Sequence, residues 1–358
     1  MKHIFSALPG GLALLLIQAG ATSPRLCAQD YGGALFFAQP QALSPSFAGL
    51  KQSLVSVTAG HLFRNFSSNT ETRYLPIASM SRSNLTTLSV DVPIWTRVFK
   101  GGAGVYVAND LTAGLRSTET LFALSYDVPL SYKARYDHLR AGFQAGFVQR
   151  AVEQQSLFFE DQFTGRGFWG ASGDLNALSN LTQIHADVSL GLMWYRTQKV
   201  PGNPEFLPFV GGAIQHVNRP KVGFFSPQAT TMRYTAYAGM KQLTRGPLDF
   251  NAAALVFVQN RSRLFGLGAQ MRYVFYENND PLSKELAALM FGVNARITET
   301  VSPFVGMQYK KALVFGASVD VYTGHERVNT AMAGFHVMAA YHFGAEKYKG
   351  QLLPFAAF

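Results

Sequence analysis

The residues with the most chemical potential in this chain are ionisable groups set into alternating runs. Asp91, Asp127, Asp187 and Asp320, with Arg140, Arg272 and Arg296, each occupy the polar side of such a run. Gathered along one lumen, they would form either a charged constriction on a solute path or a salt-bridged, plugged interior. Mixed signs suit mutual pairing better than selection of one ion. His216, with Asn218 and Pro220 beyond it, stands at the end of a run and reads as a hydrogen-bonded structural residue. His336 and His342 share a parity, but six residues of strand separate them by about 20 Å, too far to share a metal. Gly102-Ala103-Gly104 leads into a strand and not a helix, so it is no dinucleotide loop, and Asn109-Asp110 reads as a turn pair. There is no nucleophile elbow or lipase-like motif. No catalytic residue, cofactor or metal is therefore expected.

The elements that must position these groups are strands. Leu139, Ala141, Phe143, Ala145 and Phe147 alternate with Arg140, Gly142, Gln144 and Gly146. Only an extended chain separates its faces at period two. Leu88 to Ile94 and Phe122 to Leu130 repeat the pattern, always with Asp, Arg, Ser, Gln or Gly opposite the apolar set. A polar inner face behind an apolar outer face is how a barrel crosses a bilayer. Fifteen segments can be drawn between Ser53 and Phe343. Such barrels use even numbers, so fourteen strands are expected within a range of twelve to sixteen. The segment to discard is one of the first two, Ser53–Phe63 or Thr72–Ser81. With Phe343 ending a strand that descends to the periplasm, the irregular stretch Glu153–Gln183 falls outside. Arg at Leu267 would then sit in mid-bilayer, whereas Arg at Gly268 or Gly142 would face a polar interior.

Composition agrees. The chain is 48% hydrophobic and 15% charged, and its net charge of +10 is dispersed without a basic footprint for nucleic acid. Lys2 and His3 precede the apolar run Leu12–Ile17, and residues 1–28 read as a secretory signal whose core is too short to span a membrane. Its removal takes away Lys2, Arg25 and the sole cysteine, Cys27, leaving a charge of +8 and no thiol chemistry. The expected organisation is signal peptide 1–28, a Pro-containing entry or plug segment 29–52, an outer-membrane antiparallel β-barrel 53–344, and a tail 345–358.

Several short blocks, in their order along the chain, resemble the PorP/SprF family of Bacteroidota outer-membrane proteins, which is linked to type IX secretion and gliding motility. Gln29-Asp30 followed by Leu43-Ser44-Pro45-Ser46-Phe47-Ala48-Gly49 matches that family's mature start and its N-P-A-[YF]-A-G element, with Ser44 and Ser46 standing for the usual Asn and Ala. Asp91 and Pro93 in Val90–Ile94, then Asn109-Asp110, Gly114, Leu139–Gly142, His216 to Pro220 and Asp320 continue the series. The resemblance implies a non-enzymatic barrel in outer-membrane lipid, an accessory of type IX secretion. Its partners would be periplasmic ring components of that machine and a large secreted adhesin or cargo protein, with no nucleic acid. The rival expectation is a porin, or a transporter of small or hydrophobic solutes resembling fatty-acid channels.

Overall fold

In a computed structural model, the structure describes residues 39–51, 53–65, 82–112, 114–130, 136–153, 163–164, 167–168, 181–197, 205–224, 227–244, 246–277, 285–297, 299–323 and 332–345. Gln29, Asp30, the signal region and the segment after Ala345 lie outside them.

Fourteen antiparallel strands close into one barrel. In chain order they are β1 Val55–Asn65, β2 Arg82–Trp95, β3 Lys100–Thr112, β4 Leu115–Pro129, β5 Asp137–Val152, β6 Thr182–Arg196 and β7 Glu205–Gln215. The ring continues with β8 Arg233–Leu243, β9 Leu248–Gln259, β10 Ser262–Tyr276, β11 Glu285–Arg296, β12 Thr300–Tyr309, β13 Leu313–Tyr322 and β14 Met332–Phe343. Every stave pairs with its sequence neighbour. The ring closes where Val55–Arg64 meets Gly334–Phe343 in antiparallel register. Closure leaves no unpaired edge, which a bilayer requires because lipid offers no hydrogen bonds. Thr72–Ser81 falls outside the described residues and is not a stave, since Asn65 pairs directly with Arg82.

Alternation sets the two faces as expected. Leu124, Tyr126, Phe143, Leu192, Leu267, Phe291 and Val305 point outward and are exposed, while Ser125, Asp127, Arg140, Gln144 and Arg272 point inward and are buried. The end that carries Val55 and Phe343 is called here the near end. Aromatic residues band it: Tyr341 meets Phe343 at 4.5 Å and Tyr273 meets Phe275 at 5.0 Å between ring centroids. Such belts mark the depth of the lipid headgroups. The connections that join Asn65 to Arg82, Val152 to Thr182, Gln215 to Arg233 and Tyr322 to Met332 all leave from the far end.

Two expectations need correction. Asn109 and Asp110 are not a turn but lie within β3, where Asn109 Nδ2 donates to Thr118 Oγ1 at 2.8 Å across the ladder. The reversal comes later, at Gly114, whose φ is 77°. Nor is the interior simply polar. Leu62, Leu85, Tyr106 and Leu121 form one inward apolar cluster, and Met290, Phe304, Val314 and Met338 form another. Inward side chains here pack against one another and against chain inside the barrel, so large apolar groups fill space that an open pore would leave to water.

Candidate functional site: a chain segment seated in the lumen

The part of the chain inside the barrel is Gln39–Lys51. Pro40 and Pro45 each open a short 3₁₀ turn, Pro40–Ala42 and Pro45–Phe47, where the missing N–H of proline costs nothing. Ser44 caps the second turn, its Oγ accepting from Ser46 N at 3.3 Å. The segment then bends at Gly49, whose φ of 68° suits glycine. Leu43, Phe47 and Leu50 are buried against Met193, Tyr195, Phe209, Tyr237 and Leu255 of the wall. Each such side chain contributes roughly 1.5–3 kcal/mol by leaving water.

Polar contacts fix where the segment sits. The Asp91 carboxylate accepts from Gly49 N at 2.9 Å and from Gln41 Nε2 at 2.5 Å through the same oxygen, Oδ1. The Ala48 carbonyl accepts from Ser125 Oγ at 2.8 Å and from Arg140 Nη2. Arg140 is fully buried and also donates from Nε to Ser125 Oγ at 3.1 Å. Ser46 Oγ and Tyr237 OH lie 2.8 Å apart, and Gln215 Nε2 donates to the Ala42 carbonyl at 3.0 Å. An acid and a base on opposite sides of the Ala48–Gly49 peptide thus hold its two ends. Hydrogen bonds to charged groups contribute about 1.5–3 kcal/mol each. Lys51 Nζ is buried and makes no hydrogen bond. Burial pushes its ammonium down to about 8, with the Asp91 charge opposing.

The wall makes room for this backbone with glycine. A Cβ on Gly102 would lie 2.5 Å from the Gly49 Cα, and one on Gly49 would lie as close to the Gly102 Cα. A Cβ on Gly142 would strike the Pro45–Ser46 backbone, one on Gly191 the Ser44 hydroxyl, and one on Gly104 the Gln41 amide. Gly102 and Gly104 come from β3, Gly142 from β5 and Gly191 from β6. The expectation that Arg at Gly142 would merely face a polar lumen is therefore wrong, because chain already occupies that space.

The remaining residues singled out in the sequence fall into separate groups. Asp127 accepts from Tyr195 OH and lies 3.1 Å from His138 Nδ1. Arg272 contacts Asp249 at 3.2 Å, Glu285, and Gln308 at 2.9 Å, near the end of the barrel where the chain termini emerge. Asp187 lies 2.9 Å from His216 Nδ1, and the Asn218 amide donates to the Ala186 carbonyl. Arg296 donates to Thr300 Oγ1 at 3.0 Å and lies 3.9 Å from Asp320, which accepts from Ser302 Oγ at 2.7 Å. Pro93 faces Gly102 in register, and Pro220 is buried beyond the end of β7. The structure brings Pro45, Phe47, Ala48, Gly49, Asp91 and Arg140 to one place and leaves Asp187, Arg272, Arg296 and Asp320 elsewhere. Sequence reasoning missed Gln41, Ser125, Tyr237 and the glycines of the seat. The available signal was glycine recurring at inward positions of nearby staves.

A model of the family described as type IX secretion system membrane protein PorP/SprF matches residues 28–341. No curated protein matches the chain. Among solved structures, the toluene transporter TodX of P. putida is 10% identical with a TM-score of 0.40, covering 88% of this chain and 95% of that one. Omp33 of Acinetobacter baumannii is 10% identical with a TM-score of 0.39, covering 81% and 98%. CdiB of Acinetobacter baumannii is 8% identical with a TM-score of 0.41, covering 80% and 60%. The matched family and the closed, apolar-faced barrel together place the protein in the outer membrane.

Proposed function

The chain belongs to the PorP/SprF family of type IX secretion system membrane proteins, and from that premise we propose that it is a non-enzymatic accessory of the machine, supporting export or surface attachment of one large secreted adhesin or cargo protein. The observation that carries this reading over a solute channel is the seat at Asp91 and Arg140. It fixes Gln39–Lys51 across the lumen through Gly49 and Ala48. A porin needs a hydrated path with one charge sign in excess at its constriction. Here Arg272 meets Asp249, and Arg296 meets Glu299 and Asp320. Outer-membrane barrels keep short turns at the periplasm and longer loops outside. That rule puts the far end outside and the near end, with Val55 and Phe343, towards the periplasmic ring components that would be its contacts.

Deleting the gene and comparing surface proteomes tests the reading. One large secreted protein should be lost from the surface and retained in the cell, with small-solute uptake unchanged. An unchanged surface proteome with lost uptake of a solute would establish the channel reading instead.

A further inference from the structure

Four cations stand together at the far rim above β7–β10. Arg219 and Lys221 lie on the connection from β7 to β8, Arg261 on the turn from β9 to β10, and Arg263 just inside β10; all four are exposed. Among the described residues none of the four side chains makes an ion pair or a hydrogen bond. Elsewhere on the rim, Arg116 is paired with Glu153 at 2.7 Å and Arg296 contacts Glu299 at 3.4 Å. Arg263 points outward, level in the ladder with Val258, Tyr234 and Ile214. Its guanidinium therefore stands where the lipid face meets the headgroups.

Directly below these cations the lipid face changes texture. Around most of the barrel it is bulky, as at Leu124, Phe143 and Leu192. On β7–β10 it falls away into an apolar groove stepping down through the cross-strand pairs Gly212/Ala236, Ala238/Ala254 and Ala252/Ala269. Met240, Phe250, Met271 and Phe291 stand up at its lower end and form a concave ledge. Six residues separate the Ala236 level from the Gln242 level, about 20 Å along a strand. A strand tilt of about 40° reduces this to about 15 Å of depth, roughly one leaflet of the hydrocarbon core.

We propose that this face is a binding site for a phosphorylated glycolipid of the outer leaflet, of the lipopolysaccharide type. Its phosphates sit against Arg219, Lys221, Arg261 and Arg263, and an acyl chain lies in the groove below. The charge complementarity is specific in kind. Guanidinium groups bind phosphate oxygens in paired hydrogen bonds, and the contact strengthens at the edge of a low-dielectric medium. Neither half suffices alone: cations without a groove would take any anion, and a groove without cations would take any acyl chain.

The test uses full-length protein purified from outer membranes in mild detergent, with co-purifying lipopolysaccharide measured by phosphate and fatty-acid content. A double variant, Arg261→Gln with Arg263→Gln, should retain about tenfold less, since each lost cation near an anionic surface forfeits about one kcal/mol. Unchanged mobility of the unheated protein on a gel confirms that the barrel is intact. Filling the groove with Ala238→Phe should also lower retention while leaving all four cations in place. Added lipopolysaccharide should raise the unfolding temperature of delipidated protein, whereas phosphatidylglycerol or inorganic phosphate should do so much less. Equal retention by the folded double variant would overturn the proposal. So would equal stabilisation by phosphatidylglycerol or by inorganic phosphate, since the site would then be generic for anions.

Discussion

Asp91 and Arg140 act on the same peptide from two sides, and neither finds its partner near in sequence. Asp91 accepts two N–H groups that have no other acceptor among the contacts of the segment, and Arg140 reaches the Ala48 carbonyl beside Ser125. Asp91→Ala would leave the Gly49 N–H and the Gln41 amide unsatisfied and remove the charge opposite Lys51. Its effect on docking of the segment should be about 3 kcal/mol, the scale of one or two hydrogen bonds to a charged group. Asp91→Asn keeps one acceptor oxygen and should fall between. Hydrogen exchange of residues 39–51 reads this directly: protection should drop in the order wild type, Asn, Ala, while the staves stay protected. Equal protection in all three would mean that the apolar anchors Leu43, Phe47 and Leu50 hold the segment by themselves.

Among the elements, the staves were legible because their signal is local. Period two with apolar residues on one parity gave β2, β4, β5 and β10 from their own residues, including which side of β10 meets lipid. The seat was not legible, because a glycine at 102 or 142 reads alone as a turn, a bulge or a crowded interior. Its cause lies at Gly49 and Pro45, far away in sequence. The apolar inward clusters were missed for a related reason, since alternation assigns a side chain to a face but does not say what fills the space beyond it. Two substitutions separate the faces. Leu267→Arg, on the lipid side of β10, should lower refolding stability by roughly 2–4 kcal/mol. Gly142→Ala, on the lumen side of β5, should leave refolding of the barrel nearly unchanged and loosen the segment, detected as faster proteolysis within 39–51. Should Gly142→Ala instead destabilise the barrel as much as Leu267→Arg, the segment and the wall would form one folding unit.

At the scale of the molecule, the ring and its contents are held by different bonds. The ring closes through the backbone ladder from β14 to β1, with Val55 opposite Phe343, and none of its fourteen staves draws on residues 39–51. The contents are held by side-chain contacts at the Asp91 and Arg140 seat and by burial of three apolar residues. Deletion of residues 39–51 should therefore leave a closed barrel that migrates as folded until boiled. It would expose Asp91, Ser125, Arg140 and Gln144 to a lumen with glycines along one wall, a surface that water wets. In planar bilayers the full chain should then conduct little, and the deletion should conduct steadily, with the current sensitive to Asp91→Asn in the same background. If the deletion remains folded and conducts no more than the full chain, the inward clusters around Leu85 and Met290 close the lumen unaided. The seated segment would then be a structural brace and not the barrier.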